Sequence, residues 1–107
     1  MSAAFVDFVV DQLAGLGVTA RRLFGGVGLY AEGAMLGFIY GERVYLKVGA
    51  ANRAAFDAAK APALIYAPDK KAQVIGSLRE LPLDVLDDSD VAVRWAEGAL
   101  AAARAKT

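Results

Sequence analysis

Few residues in this chain could do covalent chemistry. The 107 residues include no histidine and no cysteine, so the commonest general base, the commonest metal ligand and the thiolate nucleophile are all missing. The hydroxyl candidates are Ser2, Thr19, Ser77, Ser89 and Thr107; none has a histidine to activate it or lies in a strand-turn-helix serine motif. Five acids fall within residues 80–90, namely Glu80, Asp84, Asp87, Asp88 and Asp90, with no base among them. Acids in front of a helix cap it and favour its N-terminal dipole, and this explains the cluster better than paired-carboxylate catalysis does. The expectation is therefore a protein that is not an enzyme, has no catalytic residues, and holds neither metal nor cofactor.

The candidates that remain are binding residues. Gly25 and Gly26, followed by Val27 and Gly28, could let backbone N–H groups approach an anion. Yet no Gly-Lys-Ser/Thr follows, and the next element reads as a strand, whereas phosphate loops feed a helix. A bend or bulge at the start of a strand, with a helix packed close, is the favoured reading. Arg21 and Arg22 beside Phe24 combine guanidinium and ring surface as nucleic-acid proteins do, although salt bridges to acids such as Asp87 and Asp88 would explain the pair as well. Lys47 alternates with Val44, Leu46 and Val48 and so projects from the other sheet face, where it could meet an anionic ligand or simply snorkel. Arg53 completes the candidate set.

These residues must be positioned by a small number of elements. Ser2 can cap a helix over residues 3–16, with Phe5, Val9, Leu13 and Leu16 on one face. Residues 21–30 and 35–40 read as two strands joined at Glu32-Gly33, and Gly41-Glu42 turns the chain into a third strand at 44–48. Residues 50–59 are alanine-rich and stop before Pro62, which suggests a short helix. Short strands at 64–66 and 73–75 flank the turn residues Pro68-Asp69-Lys70-Lys71. A last helix, capped by Asp87, Asp88 or Ser89, carries Val91, Trp95, Ala99 and Ala102 on one face, with Trp95 as a core anchor. The fold class expected is α+β with two layers: an antiparallel sheet with helices on one face, in the order α-β-β-β-α-β-β-α. Apolar residues on the opposite sheet face, such as Tyr45, would need a homodimer or another partner to cover them.

Length and composition support one domain over residues 1–107. Hydrophobic residues make up 57% of the chain and its net charge is zero, so it is neither disordered nor basic enough for purely electrostatic nucleic-acid binding. Residues 21–79 nevertheless carry nine basic side chains against four acidic ones, an asymmetry that suggests a polar partner surface. Asp7 and Asp11 interrupt the apolar N-terminal stretch, and no run is long enough to span a bilayer, so a soluble cytoplasmic protein without a membrane partner is expected.

Taken together, the stretch from Arg21 through Tyr30, Leu46-Lys47-Val48, Asn52-Arg53, Phe56, the Pro62 to Tyr66 segment, Leu81-Pro82 and the Trp95 to Ala99 segment resemble the TfoX (Sxy) N-terminal domain family over nearly the whole chain. The resemblance implies the helix-and-strand order above in a secretion-chaperone-like arrangement. It also implies a bacterial regulatory role, since members act in competence gene regulation beside a transcription factor responsive to cyclic AMP. Relatives carry a second, helical domain, so this chain is expected to be a stand-alone version. The resemblance brings no established catalytic or ligand-binding residue. Three functions follow as expectations: a regulatory module that binds protein, with the transcription machinery as the implied partner; direct nucleic-acid binding through Arg21, Arg22, Arg43, Arg53, Lys70 and Lys71, if these share one surface; and a small-molecule site at the glycine segment.

Overall fold

The computed structural model describes residues 2–69 and 71–105. It has six strands and four α-helices. Helix α1 (Ala3–Gln12) is capped by Ser2, whose hydroxyl accepts a hydrogen bond from the Phe5 N–H, and the chain tightens into a 3-10 turn (Ala14–Leu16) that ends at Gly17 with φ 70°. The single helix expected over residues 3–16 is thus divided into an α-helix and a 3-10 turn, and the left-handed glycine ends the second of these. Four strands follow: β1 (Thr19–Leu23), β2 (Gly26–Ala31), β3 (Ala34–Tyr40) and β4 (Arg43–Lys47). Helix α2 (Arg53–Ala58), β5 (Ala63–Tyr66), β6 (Gln73–Glu80), α3 (Leu83–Leu86) and α4 (Ser89–Arg104) complete the chain. Asp88 caps α4 by accepting from the Val91 N–H.

The α+β class and the antiparallel sheet agree with expectation, but the first meander has four strands where three were read. The extra strand arises at the glycine cluster. Phe24 and Gly25 have φ of 53° and 74°, and Leu23 pairs with Gly26. That is a two-residue hairpin turn with both central residues left-handed, the geometry that matches strand twist. The bend or bulge expected there is a full chain reversal. Glu32-Gly33 and Gly41-Glu42 make the next two turns with the same sign of φ, as their sequences indicated.

The sheet order is β1-β2-β3-β4-β6-β5, antiparallel throughout. One face carries Val27, Leu29, Ile39, Val44 and Leu46 and forms the main core with Val9, Leu13, Phe56, Ala92, Ala96 and Ala99 from the helices. Small residues along α4 let it lie close against β3 and β4. Trp95 anchors α2 through an edge-to-face contact with Phe56, ring centroids 4.8 Å apart. Arg79 of β6 ties the end of α2 to the sheet by donating to the Ala61 and Phe56 carbonyls and to Asp57.

The opposite face is partly covered by the chain itself. Strand β6 pairs with β4 at Leu78–Glu80 and with β5 mainly at Gln73–Ile75, and the β5 register shifts between Ala63 and Leu64. Residues 76–78 therefore form a break at which the β5–β6 hairpin turns across the second face. Phe38, Tyr45, Leu64 and Leu78 are buried there, with Leu23, Tyr40, Tyr66 and Ile75 packed around them. The sheet rolls until the Tyr66 hydroxyl donates to the Phe24 carbonyl at 2.8 Å, which joins the end of edge strand β5 to the turn of edge strand β1.

Candidate functional site

The rolled sheet carries an open second-face cleft of about 310 Å³, lined by Phe24, Met35, Phe38, Leu64, Tyr66, Gln73, Ile75 and Leu78. Its floor is ring surface. Phe38 and Tyr40 stack with centroids 6.0 Å apart, and Tyr66 meets both, at 6.4 Å and 5.3 Å. Tyr40 also accepts from the Ala67 N–H, which fixes the start of the β5–β6 loop over the cleft.

The glycines make this floor possible. A Cβ on Gly26 would lie 2.4 Å from the Ile39 carbonyl oxygen and 2.5 Å from the Phe38 ring. One on Gly28 would meet Leu23 and Tyr30 side-chain atoms at 2.7 and 2.8 Å. The absence of side chains at both positions lets neighbouring rings and Leu23 lie down on β2. This close approach gives Gly26 a structural role and leaves Gly25 the left-handed turn position.

Phe24 differs from its neighbours. It holds a left-handed backbone, which a bulky residue rarely adopts, and its side chain is 70% exposed at the rim of the cleft. Burial does not account for the ring at that position. Ile65 and Val74, paired across β5 and β6, are also exposed, at 59% and 70%.

The basic candidates are dispersed. Arg21 pairs with Gly28 and Arg22 with Val27, so the two arginines leave opposite sheet faces. Neither makes an ion pair among the described residues, and the bridges considered to Asp87 and Asp88 are absent. Arg43 is held by Glu80 at 2.9 Å. Arg53 is exposed on α2 in the helical layer. Lys47 does leave the sheet on the face opposite Val44 and Leu46, pairing with Leu78, and its carbonyl accepts from Asn52. The nucleic-acid set is not gathered on one surface, and Lys70 lies outside the described residues. Tyr45 is buried beside Arg43 and Glu80; burial pushes its phenol pKa up, the Glu80 carboxylate adds to this, and Arg43 opposes it.

Of the candidates named from sequence, only Phe24 lines the cleft. Met35, Phe38, Leu64, Tyr66, Gln73, Ile75 and Leu78 were missed. The available signal was the alternation in β3, β5 and β6, whose second apolar set needs a core of its own. Among the described residues no charged side chain lines the cleft, and the polar side chains there are the Gln73 amide and a Tyr66 hydroxyl already used on Phe24. Such a surface is suited to apolar groups.

Fold and site thus define a two-layer α+β domain whose rolled sheet carries an apolar cleft. The family model described as the TfoX N-terminal domain matches residues 11–103, and the chain belongs to that family. Membership supports a regulatory-domain-like role. No curated protein matches the chain. Among the described residues no helix is long and apolar enough to cross a membrane.

Proposed function

We propose that this domain is a non-enzymatic regulatory module that docks an apolar side chain of a protein partner in the second-face cleft, in the setting of bacterial competence or transcription control. The observation that carries the reading is Phe24, a mostly exposed ring in a strained backbone position at the rim of a ring-floored cleft. Strain kept at an exposed residue without compensating burial is characteristic of binding sites. Small-molecule sites bury most of their ligand in a concave pocket; this cleft is open at the surface, and a protein side chain suits it better. Family membership supplies the regulatory context.

Photo-crosslinking in bacterial cells tests the proposal. A benzophenone amino acid replacing Gln73, at the cleft, is compared with one replacing Glu97, exposed on α4. Discrete adducts with a component of the transcription machinery, formed from position 73 and lost with Phe24→Ser, are the expected result. Equal labelling from both positions, or adducts indifferent to Phe24→Ser, would overturn it.

A further inference from the structure

The cleft is apolar inside, but the charges around it are unequal in a way that specifies its occupant. Every acid between residues 21 and 80 is engaged within the molecule. Glu32 pairs with Arg104, Asp57 with Arg79 and Glu80 with Arg43; Glu42 accepts from the Ser2 N–H and Asp69 from the Lys71 N–H. Three cations close in sequence to Phe24 and Gln73 are not engaged in this way. Arg21, Arg22 and the Lys71 ammonium make no hydrogen bond or ion pair among the described residues, and all three residues are exposed. Arg21 lies three residues before Phe24, and Lys71 two residues before Gln73, so the chain brings a cation toward the cleft from each side, whereas Arg22 leaves on the helical face. Arg21 leaves the sheet on the cleft face, as do its cross-strand partner Gly28 and its neighbour Leu23.

Strand β1 adds direction. Among the described residues it pairs only with β2, so its outer edge has no strand partner there, and it runs from Thr19 past Arg21 to the Phe24 turn. An extended segment laid along that edge would meet a cation first and the apolar cleft next.

We infer that the cleft receives one aromatic or branched aliphatic side chain from an extended peptide whose flanking residues are acidic. The inference rests on the protein-docking reading above and adds the chemistry of the partner. Arg21 and Lys71 attract the flanking carboxylates, which sets orientation and encounter rate; the rings of Phe38 and Tyr66, with Phe24 at the rim, take the apolar group.

Selection of a random peptide library on the full chain, followed by fluorescence polarisation of the enriched peptides, separates the possibilities. Enriched sequences should carry Phe, Trp, Leu or Ile between Asp or Glu residues. Their affinity should fall about tenfold with Arg21→Glu and Lys71→Glu combined, and by a comparable factor with Phe24→Ser. Arg21→Gln should give a smaller loss, and raised salt should weaken the wild type more than the double variant. Circular dichroism of each variant confirms that the fold is retained. Enriched peptides with neutral or basic flanks that still depend on Phe24 would overturn the acidic-partner inference and leave the docking reading standing. Failure to enrich any peptide sensitive to Phe24→Ser would overturn both. Binding of the library to duplex-DNA-competed protein only in the absence of DNA, with DNA itself released by the double variant, would assign the cations to nucleic acid and likewise overturn the inference.

Discussion

Replacing Phe24 with Asn separates binding from folding at the residue where the two conflict. Phe24 and Gly25 form a turn with φ of 53° and 74°, the arrangement in which Asn-Gly is the preferred pair. An ordinary L-residue in the left-handed region costs about 1–2 kcal/mol, and Asn recovers part of that through its short polar side chain. The ring is 70% exposed, so truncating it forfeits less than a third of the roughly 1.5–3 kcal/mol that full burial of a Phe contributes, or under about 1 kcal/mol. The Tyr66 hydroxyl bonds to the Phe24 backbone carbonyl and survives the change. The balance is a gain of about 0.5 kcal/mol, a rise in Tm of roughly 2 °C for a domain of this size. Urea unfolding followed by the fluorescence of Trp95, the sole tryptophan, which packs on Phe56 in the main core, measures this directly. Peptide affinity measured on the same sample should fall about tenfold. A loss of more than about 1 kcal/mol of stability would show that the exposed ring holds the fold together, and the argument from strain would then fail.

Other perturbations test the architecture around the cleft. Gly26→Ala drives a Cβ into the Ile39 carbonyl and the Phe38 ring, whereas the first contacts of Gly28→Ala are flexible side-chain atoms; chemical denaturation should show a loss of about 2–3 kcal/mol for the first and about 1 kcal/mol for the second. Arg79→Met leaves the Ala61 and Phe56 carbonyls without their guanidinium donor, and should cost about 2 kcal/mol and loosen hydrogen-exchange protection in α2. Tyr45 has a phenol pKa held above its ordinary value of 10.0, chiefly by burial and then by Glu80. Above pH 10 the unfolded chain loses this proton before the folded one does, so the contribution is fully present below pH 10 and is lost as pH rises through the folded pKa. Tyr45→Phe should flatten that alkaline decline in a pH series of urea titrations.

Local rules made much of the fold legible. Ser2 and Asp88 cap helices as their positions indicated, and Glu32-Gly33 and Gly41-Glu42 turn the chain where they should. The alternation of Val44, Leu46 and Val48 with Tyr45 and Lys47 assigned the two sheet faces correctly. The strand count failed at Phe24, because a bulky aromatic is not a residue expected at a left-handed turn position. The second core was hidden for a different reason. Only the break at residues 76–78 carries the β5–β6 hairpin across the sheet, and that break depends on long-range pairing with β4, which local sequence does not encode. Arg21 and Arg22 looked like one cationic patch because they are adjacent in sequence, but strand geometry sends them to opposite faces.

The ten residues from Arg21 to Tyr30 are the place where fold and recognition are built from the same material. Gly25 permits the turn, Gly26 gives Phe38 room against β2, and Gly28 does the same for Tyr30 and Leu23. Those positions are constrained by backbone conformation at Gly25 and by packing at Gly26 and Gly28, so changes there should alter binding only by disturbing the fold. Arg21, Arg22 and Phe24 have no comparable constraint: their side chains are exposed, and neither arginine is engaged with an acid. Stability and recognition therefore separate residue by residue along a single hairpin. A partner that gripped the main core or the helical layer would be indifferent to Phe24, whereas one that enters the rolled sheet must pass it.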